Sequence, residues 1–128
     1  MKALSIRQPW AWAIFHAGKN FENRTWFHSY RGRIVIHTGK AVDKSAVQKL
    51  RAKGHQVPMN LPVGCLVGEV DIVGGVDRFG KKPVGNPWYE GEYGFFLANP
   101  KAYDDPVPYK GKLGFFEVEP CEKPEAKE

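Results

Sequence analysis

A chain of 128 residues is long enough to bury one hydrophobic core and too short to divide into two full-sized domains. Hydrophobic residues make up 42% of it, but no apolar run approaches the ~20 residues that a transmembrane helix requires, which excludes a helical membrane protein. Nineteen Lys and Arg residues against fourteen Asp and Glu residues give a net charge of +5, which indicates a polyanionic partner.

The first segment predicts a strand followed by a short helix. Residues 3–6 are the strand candidate. The amino-terminal residues lack the apolar stretch of a secretory signal, so we expect a cytoplasmic protein. Pro9 suits the first position of a helix, where its missing N–H costs nothing. The helix should end at Gly18. Its apolar face comprises Trp10, Ala13, Ile14 and Ala17.

The middle of the chain predicts one strand and a second helix. Residues 33–38 are β-branched and lie between two glycines, as a strand does. The second helix should follow an N-cap at Asp43, run to about Ala52 and end at Gly54. Its exposed face carries the cations Lys44, Lys49, Arg51 and Lys53.

The carboxy-terminal half predicts three more strands around a long loop. Residues 66–72 alternate apolar with polar side chains, as a half-buried strand does. Residues 74–91 are rich in Gly and Pro and predict a loop. Further strands are expected over residues 93–98 and 113–119, joined by a turn-rich link. The whole pattern predicts an α+β fold, a small mixed β-barrel of about five to six strands with two main helices.

The domain is expected to span residues 1–119. The tail, residues 120–128, is charged and poor in apolar residues, which predicts disorder. The two cysteines, Cys65 and Cys121, are too few for a disulfide framework, and the four histidines lack the spacing of metal ligands. We therefore expect neither a metal nor a cofactor.

Positive charge is concentrated between residues 19 and 53. This stretch has nine basic and two acidic residues, a net charge of +7. Aromatic side chains are interleaved with the cations, and stacking surfaces beside cations are what unpaired bases bind. A solvated basic face above core aromatics would give the same pattern. The aromatic residues are Phe21, Trp26, Phe27 and Tyr30.

Two blocks near the amino terminus resemble a known family. They are residues 4–11 (LSIRQPWA) and residues 19–26 (KNFENRTW). With them the chain resembles the ASCH family, the activating signal cointegrator homology domains. The resemblance continues through residues 30–33, 62–68 and 111–115.

The hallmark of the ASCH family is GxKxxExR. Lys19, Glu22 and Arg24 match its polar positions, while Ala17 stands in place of the first glycine. The resemblance implies a PUA-like β-barrel with a cleft between the first helix and the barrel, lined by the hallmark residues. It also implies that the ligand is RNA or a modified nucleoside. Some members hydrolyse N4-acetylcytidine and others are described as ribonucleases, so the fold alone does not select the reaction.

The hallmark side chains suggest two reactions and one structural alternative. In a metal-independent ribonuclease, Glu22 would be the general base for the 2′-hydroxyl, and Lys19 with Arg24 would stabilise the phosphorane. In an amidohydrolase, the hydrolytic relatives look as if they use a threonine three residues after the lysine, where this chain has Glu22. As a structural alternative, Glu22 and Arg24 form an ion pair that fixes the loop.

Other residues are candidates for contacts to the ligand. Gln8 could read a base edge or cap the first helix. His37 could carry a proton, although a lone strand histidine is usually structural. Trp88 and Tyr89 could form a lid. The candidate nucleic-acid-binding residues are Ser5, Arg7, Gln8, Trp26, Arg31, Arg33, His37, Lys40 and Lys53.

The sequence thus predicts an RNA-binding ASCH domain protein with ribonuclease or related RNA-processing activity in a cleft lined by Lys19, Glu22 and Arg24. An amidohydrolase acting on N4-acetylcytidine and a non-catalytic nucleic-acid-binding module are the alternatives. The expected partner is single-stranded RNA or a modified nucleoside, with no membrane and no metal. The oligomeric state is left open.

Overall fold

The computed structural model describes residues 1–119, and within them the chain forms six strands and two helices. In chain order these are β1 (Lys2–Gln8), α1 (Trp10–His16), β2 (Phe21–Arg24), β3 (Gly32–Val42), α2 (Lys44–Ala52), β4 (Cys65–Val76), β5 (Tyr93–Pro108) and β6 (Phe115–Glu117). The tail that was predicted to be disordered lies outside the described residues. Neither helix is long and apolar enough to span a membrane.

The six strands form one mixed sheet in the order β2-β5-β4-β3-β1-β6. Strands β1 and β3 run parallel, and the other neighbouring pairs run antiparallel. The α+β prediction with five to six strands and two main helices is confirmed, but the hydrogen-bonded ladder is open between β2 and β6. Aromatic rings span that gap, since the ring centroid of Phe115 in β6 lies 5.7 Å from that of Trp26 and 5.8 Å from that of Phe95.

Hydrophobic clusters cover both faces of the sheet. Alternate residues of β3 face opposite sides, so that Ile34 and Ile36 pack with α1 whereas Val35 packs with Phe116 on the other face. A third cluster joins the two helices through Ala13 of α1 and Leu50 of α2. This contact fixes α2 beside α1 and so positions one wall of the cleft described below.

The two helices follow their local signals closely. The side chain of Asp43 accepts a hydrogen bond from Ala46 N at 3.0 Å, and Gly54 adopts a positive φ of 97° just beyond α2, as predicted for the two ends of that helix. At α1 the prediction was wrong by one residue. Pro9 occupies the N-cap position rather than the first helical position.

Several strand boundaries need correction. Strand β3 runs on to Val42, past its predicted end at residue 38, and β6 covers only residues 115–117 of the predicted 113–119. Strand β2 was not predicted, because it is only four residues long and shows no apolar alternation. Strand β4 continues to Val76, into the predicted loop, so that the irregular segment is residues 77–92. Strand β5 passes through Asn99, where a break was predicted. Asn99 adopts the left-handed φ of 54° that asparagine tolerates, and register shifts against β4 absorb the irregularity.

Strand β2 lies close against β5 because Gly94 has no side chain. Asn23 is the register partner of Gly94. A Cβ atom at position 94 would overlap the ring of Phe21 and lie 2.6 Å from the carbonyl oxygen of Glu22. The absence of that atom lets the backbone of Glu22 reach the edge of the sheet.

We predict that Gly94→Ala lowers the free energy of unfolding by about 1–3 kcal/mol, because the added methyl group overpacks this contact. Gly85→Ala is the matched control, since a Cβ atom there has no neighbour within 4 Å. Denaturant unfolding monitored by circular dichroism measures both. Equal stabilities for the two variants would contradict the close β2–β5 contact.

Candidate functional site

A buried ion-pair network connects the end of α1 to β2. Both carboxylate oxygens of Glu22 have a cationic partner: Lys19 Nζ lies 2.7 Å from Oε1 and Arg24 Nη2 lies 3.3 Å from Oε2. Lys19 is only 4% exposed and also donates to the carbonyl oxygen of Phe21. Removing a charge from water costs on the order of several kcal/mol, which these partners offset. The structure therefore brings the three hallmark residues together.

Local backbone geometry explains this convergence. Gly18 adopts a positive φ of 73°, and Lys19 N donates to Ala13 O at 3.0 Å, so the chain reverses at the end of α1. Because side chains alternate along a strand, Glu22 and Arg24 lie on the same face of β2.

Arg24 extends the network to β1 and to an aromatic ring. Its Nη2 donates to the carbonyl oxygen of Ser5 at 2.7 Å, and its guanidinium carbon lies 5.9 Å from the ring centroid of Trp26. Its Nε is buried and has no hydrogen-bond partner within the described part of the chain. A buried N–H without a partner costs about 1–3 kcal/mol, which the ion pair and hydrogen bond of Nη2 help to offset.

Two cavities adjoin at Glu22. The first, of about 580 Å³, is enclosed by β2, α2 and the loop around Trp88, and the second, of about 720 Å³, lies between β1, β2 and the end of β3. Each is within the usual size of a small-molecule site. The residues that line both are Trp10, Glu22, Asn23 and Asp43, so the cavities form one cleft.

The cleft is positively charged. Six cations and three carboxylates line its two cavities. Two of the three carboxylates already have partners, because Glu22 is ion-paired and Asp43 caps α2. The cations are Lys19, Lys49 and Lys53 in the first cavity and Arg7, Arg24 and Lys40 in the second. Such a lining attracts anions.

Asp43 fixes the α2 wall. Hydrogen bonds from the backbone N–H of Ala46 and the hydroxyl of Ser45 hold the pKa of the Asp43 carboxyl below its ordinary value. The carboxylate at the start of α2 is thus committed to the helix end, where it satisfies an otherwise unpaired N–H group. It leaves the exposed cations of α2 to set the charge of this wall.

Comparison with known proteins identifies the family. The ASCH domain model matches residues 4–107. This chain belongs to the ASCH family. Over 78 residues it is 36% identical to activating signal cointegrator 1 of Mus musculus and 35% identical to that of Homo sapiens. These alignments cover 55% of this chain but only 13% of the length of either relative. Membership of the ASCH family points to RNA or another nucleic acid as the ligand.

Six of the other candidate residues of this ASCH domain lie at the cleft. Ser5, Arg7, Trp26 and Lys40 line the second cavity, and Lys53 and Trp88 line the first. The ring of Trp88 also lies 5.9 Å from that of His55, which lines the same cavity.

Gln8 and His37 are buried and bonded within the fold. Gln8 Oε1 accepts from Trp12 N at 2.8 Å and its Nε2 donates to Pro62 O at 3.0 Å, which is the helix-capping alternative. His37 Nε2 donates to Tyr109 O at 2.7 Å, so in the neutral ring Nδ1 accepts from the Ser5 hydroxyl at 2.8 Å.

The remaining three candidates lie outside both cavities. Arg33 pairs with Asp71 at 3.2 Å and with Glu69 at 3.3 Å. Arg31 lies over the ring of Phe27 with its guanidinium carbon 5.9 Å from the centroid. Tyr89, predicted as part of a lid, packs edge-on against Phe21 with ring centroids 5.7 Å apart. The structure therefore separates these three side chains from the hallmark residues.

Sequence reasoning missed Asn23, which holds the loop over the first cavity. Its Nδ2 donates to Trp88 O and its Oδ1 accepts from Glu90 N, each at 2.7 Å. Asn86 Nδ2 donates to Asn20 Oδ1 at 2.8 Å beside them. Asn23 lies between two hallmark residues, but its partners are more than sixty residues away in sequence, so no local signal reveals them.

The acidic side chains of the site do not gather as metal ligands do. Among residues 1–119, no group of three or more His, Cys, Asp or Glu side chains lies close enough together to hold a metal ion. The absence of a metal or cofactor from the function stays a prediction.

We predict that Asp43→Ala costs about 1 kcal/mol of stability at neutral pH, because it removes the N-cap of α2. The pKa of this carboxyl is lowered in the folded state, so its contribution is complete above the ordinary Asp value of about 4 and is lost as the pH falls through the lowered value. Asp43→Asn is the control, since asparagine also caps helices. Thermal unfolding at neutral and acidic pH measures the stability of each variant. Equal stabilities of Asp43→Ala and the wild type at neutral pH would contradict the prediction.

Proposed function

We propose that this ASCH domain binds single-stranded RNA and holds a nucleotide in the cleft beside Glu22. The observation that carries the proposal is the excess of cations around the two cavities, together with aromatic rings at the same surface. Phosphates need cations, and unpaired bases need rings on which to stack. The rings that line the cleft are Trp10, Trp26 and Trp88.

Arg24 supports an anionic ligand most directly. Its Nη2 is used by Ser5 and Glu22, whereas its buried Nε has no partner within the described residues. The guanidinium lines the second cavity, where its positive charge would attract a phosphate oxygen. Arg7 and Lys40, which line the same cavity, are exposed and add charge at its rim.

The state of Glu22 favours binding over turnover. A general base must come within about 2.6–3.2 Å of the proton that it takes. Both oxygens of Glu22 already contact a cation, and Lys19 is enclosed with two acceptors of its own. These contacts stabilise the Glu22 carboxylate as one member of an ion pair that lines the cleft. This is the arrangement expected if the pair has a structural role.

A metal-independent ribonuclease is the second candidate. The observation that favours it is the position of Glu22, which lines both cavities and has one cation on each side. In that reaction Glu22 would accept the 2′-hydroxyl proton as the 2′-oxygen attacks phosphorus, and Lys19 and Arg24 would stabilise the phosphorane oxygens. The bond from phosphorus to the 5′-oxygen would then break, and that oxygen would take up a proton from water. Hydrolysis of N4-acetylcytidine is the third candidate, in which the same carboxylate would activate water.

We predict that the double variant Lys49→Ala/Lys53→Ala weakens binding of labelled single-stranded RNA. If both lysines contact phosphates, the slope of log affinity against log salt becomes shallower by about 1.4. Lys44→Ala is the matched control, because Lys44 is an exposed lysine of the same helix that does not line the cleft. Fluorescence anisotropy at several salt concentrations measures both. An unchanged slope in the double variant would place the RNA elsewhere.

We predict that the wild type binds RNA in the presence of a chelator and leaves it intact. The assay incubates the protein with labelled single-stranded RNA and, in parallel, with N4-acetylcytidine. Cleavage that is lost in Glu22→Gln, with folding and RNA affinity retained, would support the ribonuclease instead. Release of acetate that is lost in the same variant would support the amidohydrolase. Cleavage that persists in Lys19→Ala would identify a contaminating nuclease.

A further inference from the structure

We propose that residues 25–31 form a second RNA-contact surface that continues the cleft, so that the domain binds a strand of several nucleotides. This inference rests on the proposed function and extends it from one nucleotide to a run. The surface comprises the exposed ring of Phe27, the imidazole of His28 and the guanidinium of Arg31.

The segment is continuous with the cleft. Thr25 and Trp26 line the second cavity, and the Trp26 ring lies beside the guanidinium of Arg24. The ring of His28, two residues further on, lies 6.3 Å from that of Trp26 between centroids. An RNA strand that leaves the second cavity past Trp26 would therefore meet His28 next, with the exposed Phe27 in the same segment.

Phe27 and Arg31 present an aromatic ring and a cation together. Phe27 is 42% exposed, and the guanidinium carbon of Arg31 lies 5.9 Å from its ring centroid. Arg31 Nη1 donates to the carbonyl oxygens of His28 at 3.1 Å and Tyr30 at 2.8 Å. These bonds hold the cation in place before any ligand arrives, which reduces the entropy lost on binding.

His28 adds a directed hydrogen-bond donor. Its Nδ1 accepts from Tyr30 N at 2.9 Å, so the neutral ring carries its proton on Nε2. His28 is exposed, and its ring packs edge-on against Phe115 at 4.8 Å between centroids. The ring is thus fixed in orientation while an N–H group is available to a phosphate or a base acceptor.

Charge identifies the occupant as nucleic acid. From residue 24 to residue 42 the chain contains no Asp or Glu but includes four cations. Glu117, two residues after Phe115, is paired with Lys2 at 3.2 Å. Lys2 also lies over the ring of Tyr30. Exposed rings beside cations suit unpaired bases, whereas the bases of a duplex are stacked on one another. Single-stranded RNA is therefore the expected partner.

Some aromatic rings beside the proposed surface belong to the hydrophobic core, which limits the choice of variants. Trp26, Tyr30 and Phe115 pack against the main hydrophobic cluster, so replacing them would disturb folding. Phe27 is exposed and can be replaced without opening that cluster. The test therefore uses Phe27→Ala, with Arg31→Gln as a second variant.

The experiment compares a uridine mononucleotide with a uridine oligomer of about eight nucleotides, a length within the range of single-strand binding sites. We expect Phe27→Ala to weaken binding of the oligomer by roughly tenfold, the loss of one stacked base, and to leave mononucleotide affinity unchanged. Phe79→Ala is the matched control. Phe79 is 89% exposed with Arg78 5.4 Å from its ring centroid, and it lines neither cavity.

Four outcomes decide the inference. Loss of oligomer affinity in Phe27→Ala and Arg31→Gln, but not in Phe79→Ala, supports it. Wild-type affinity for the oligomer in both variants overturns it while leaving the cleft as the RNA site. Binding of an acidic peptide in preference to RNA, lost in Phe27→Ala, overturns the choice of occupant. Failure of the wild type to bind either uridine ligand would instead overturn the proposed function, and this inference with it. Unfolding midpoints establish that each variant is folded.

Discussion

The architecture of the cleft depends on three charged side chains held away from water where α1 meets the sheet. Lys19 and Arg24 share the carboxylate of Glu22, and each also donates to a backbone carbonyl, one in β2 and one in β1. Removing one partner of a buried ion pair leaves the other charge buried without a partner, which lowers the free energy of unfolding by about 3–5 kcal/mol. The network therefore fixes the relative positions of α1, β1 and β2. The residues that form the cleft floor are also the ones that hold these elements together.

The fold was predictable where its signals are local. The ends of α2 are marked by Asp43 and Gly54, and both act as the sequence indicates. Strand β2 escaped prediction because its pairing is set by Gly94, about seventy residues later, which lets β5 approach closely. The strand break predicted at Asn99 was wrong because a local signal was outweighed by the sheet. Asparagine before proline favours a turn, but here a register shift lets the strand continue.

The candidate site shows the same division between local and distant information. The match of Lys19, Glu22 and Arg24 to the ASCH hallmark implied that they line one cleft, and the structure brings the three side chains together. The cavity walls were not predictable, since Asn23 binds a loop far along the chain. Arg33 looked like a nucleic-acid contact within a basic segment, but the β3–β4 register places it opposite Asp71, and only the sheet reveals that partner.

The open sheet explains why aromatic rings reach the surface beside the cleft. In a closed barrel, β2 and β6 would pair through backbone hydrogen bonds, whereas here ring contacts from Trp26 and Phe95 to Phe115 close the gap. Trp26 comes from the irregular segment that follows β2, and its neighbour Phe27 in that segment is exposed. Phe115 in turn packs against His28 at 4.8 Å between centroids, so β6 orients a ring of the proposed contact surface from the opposite edge of the sheet.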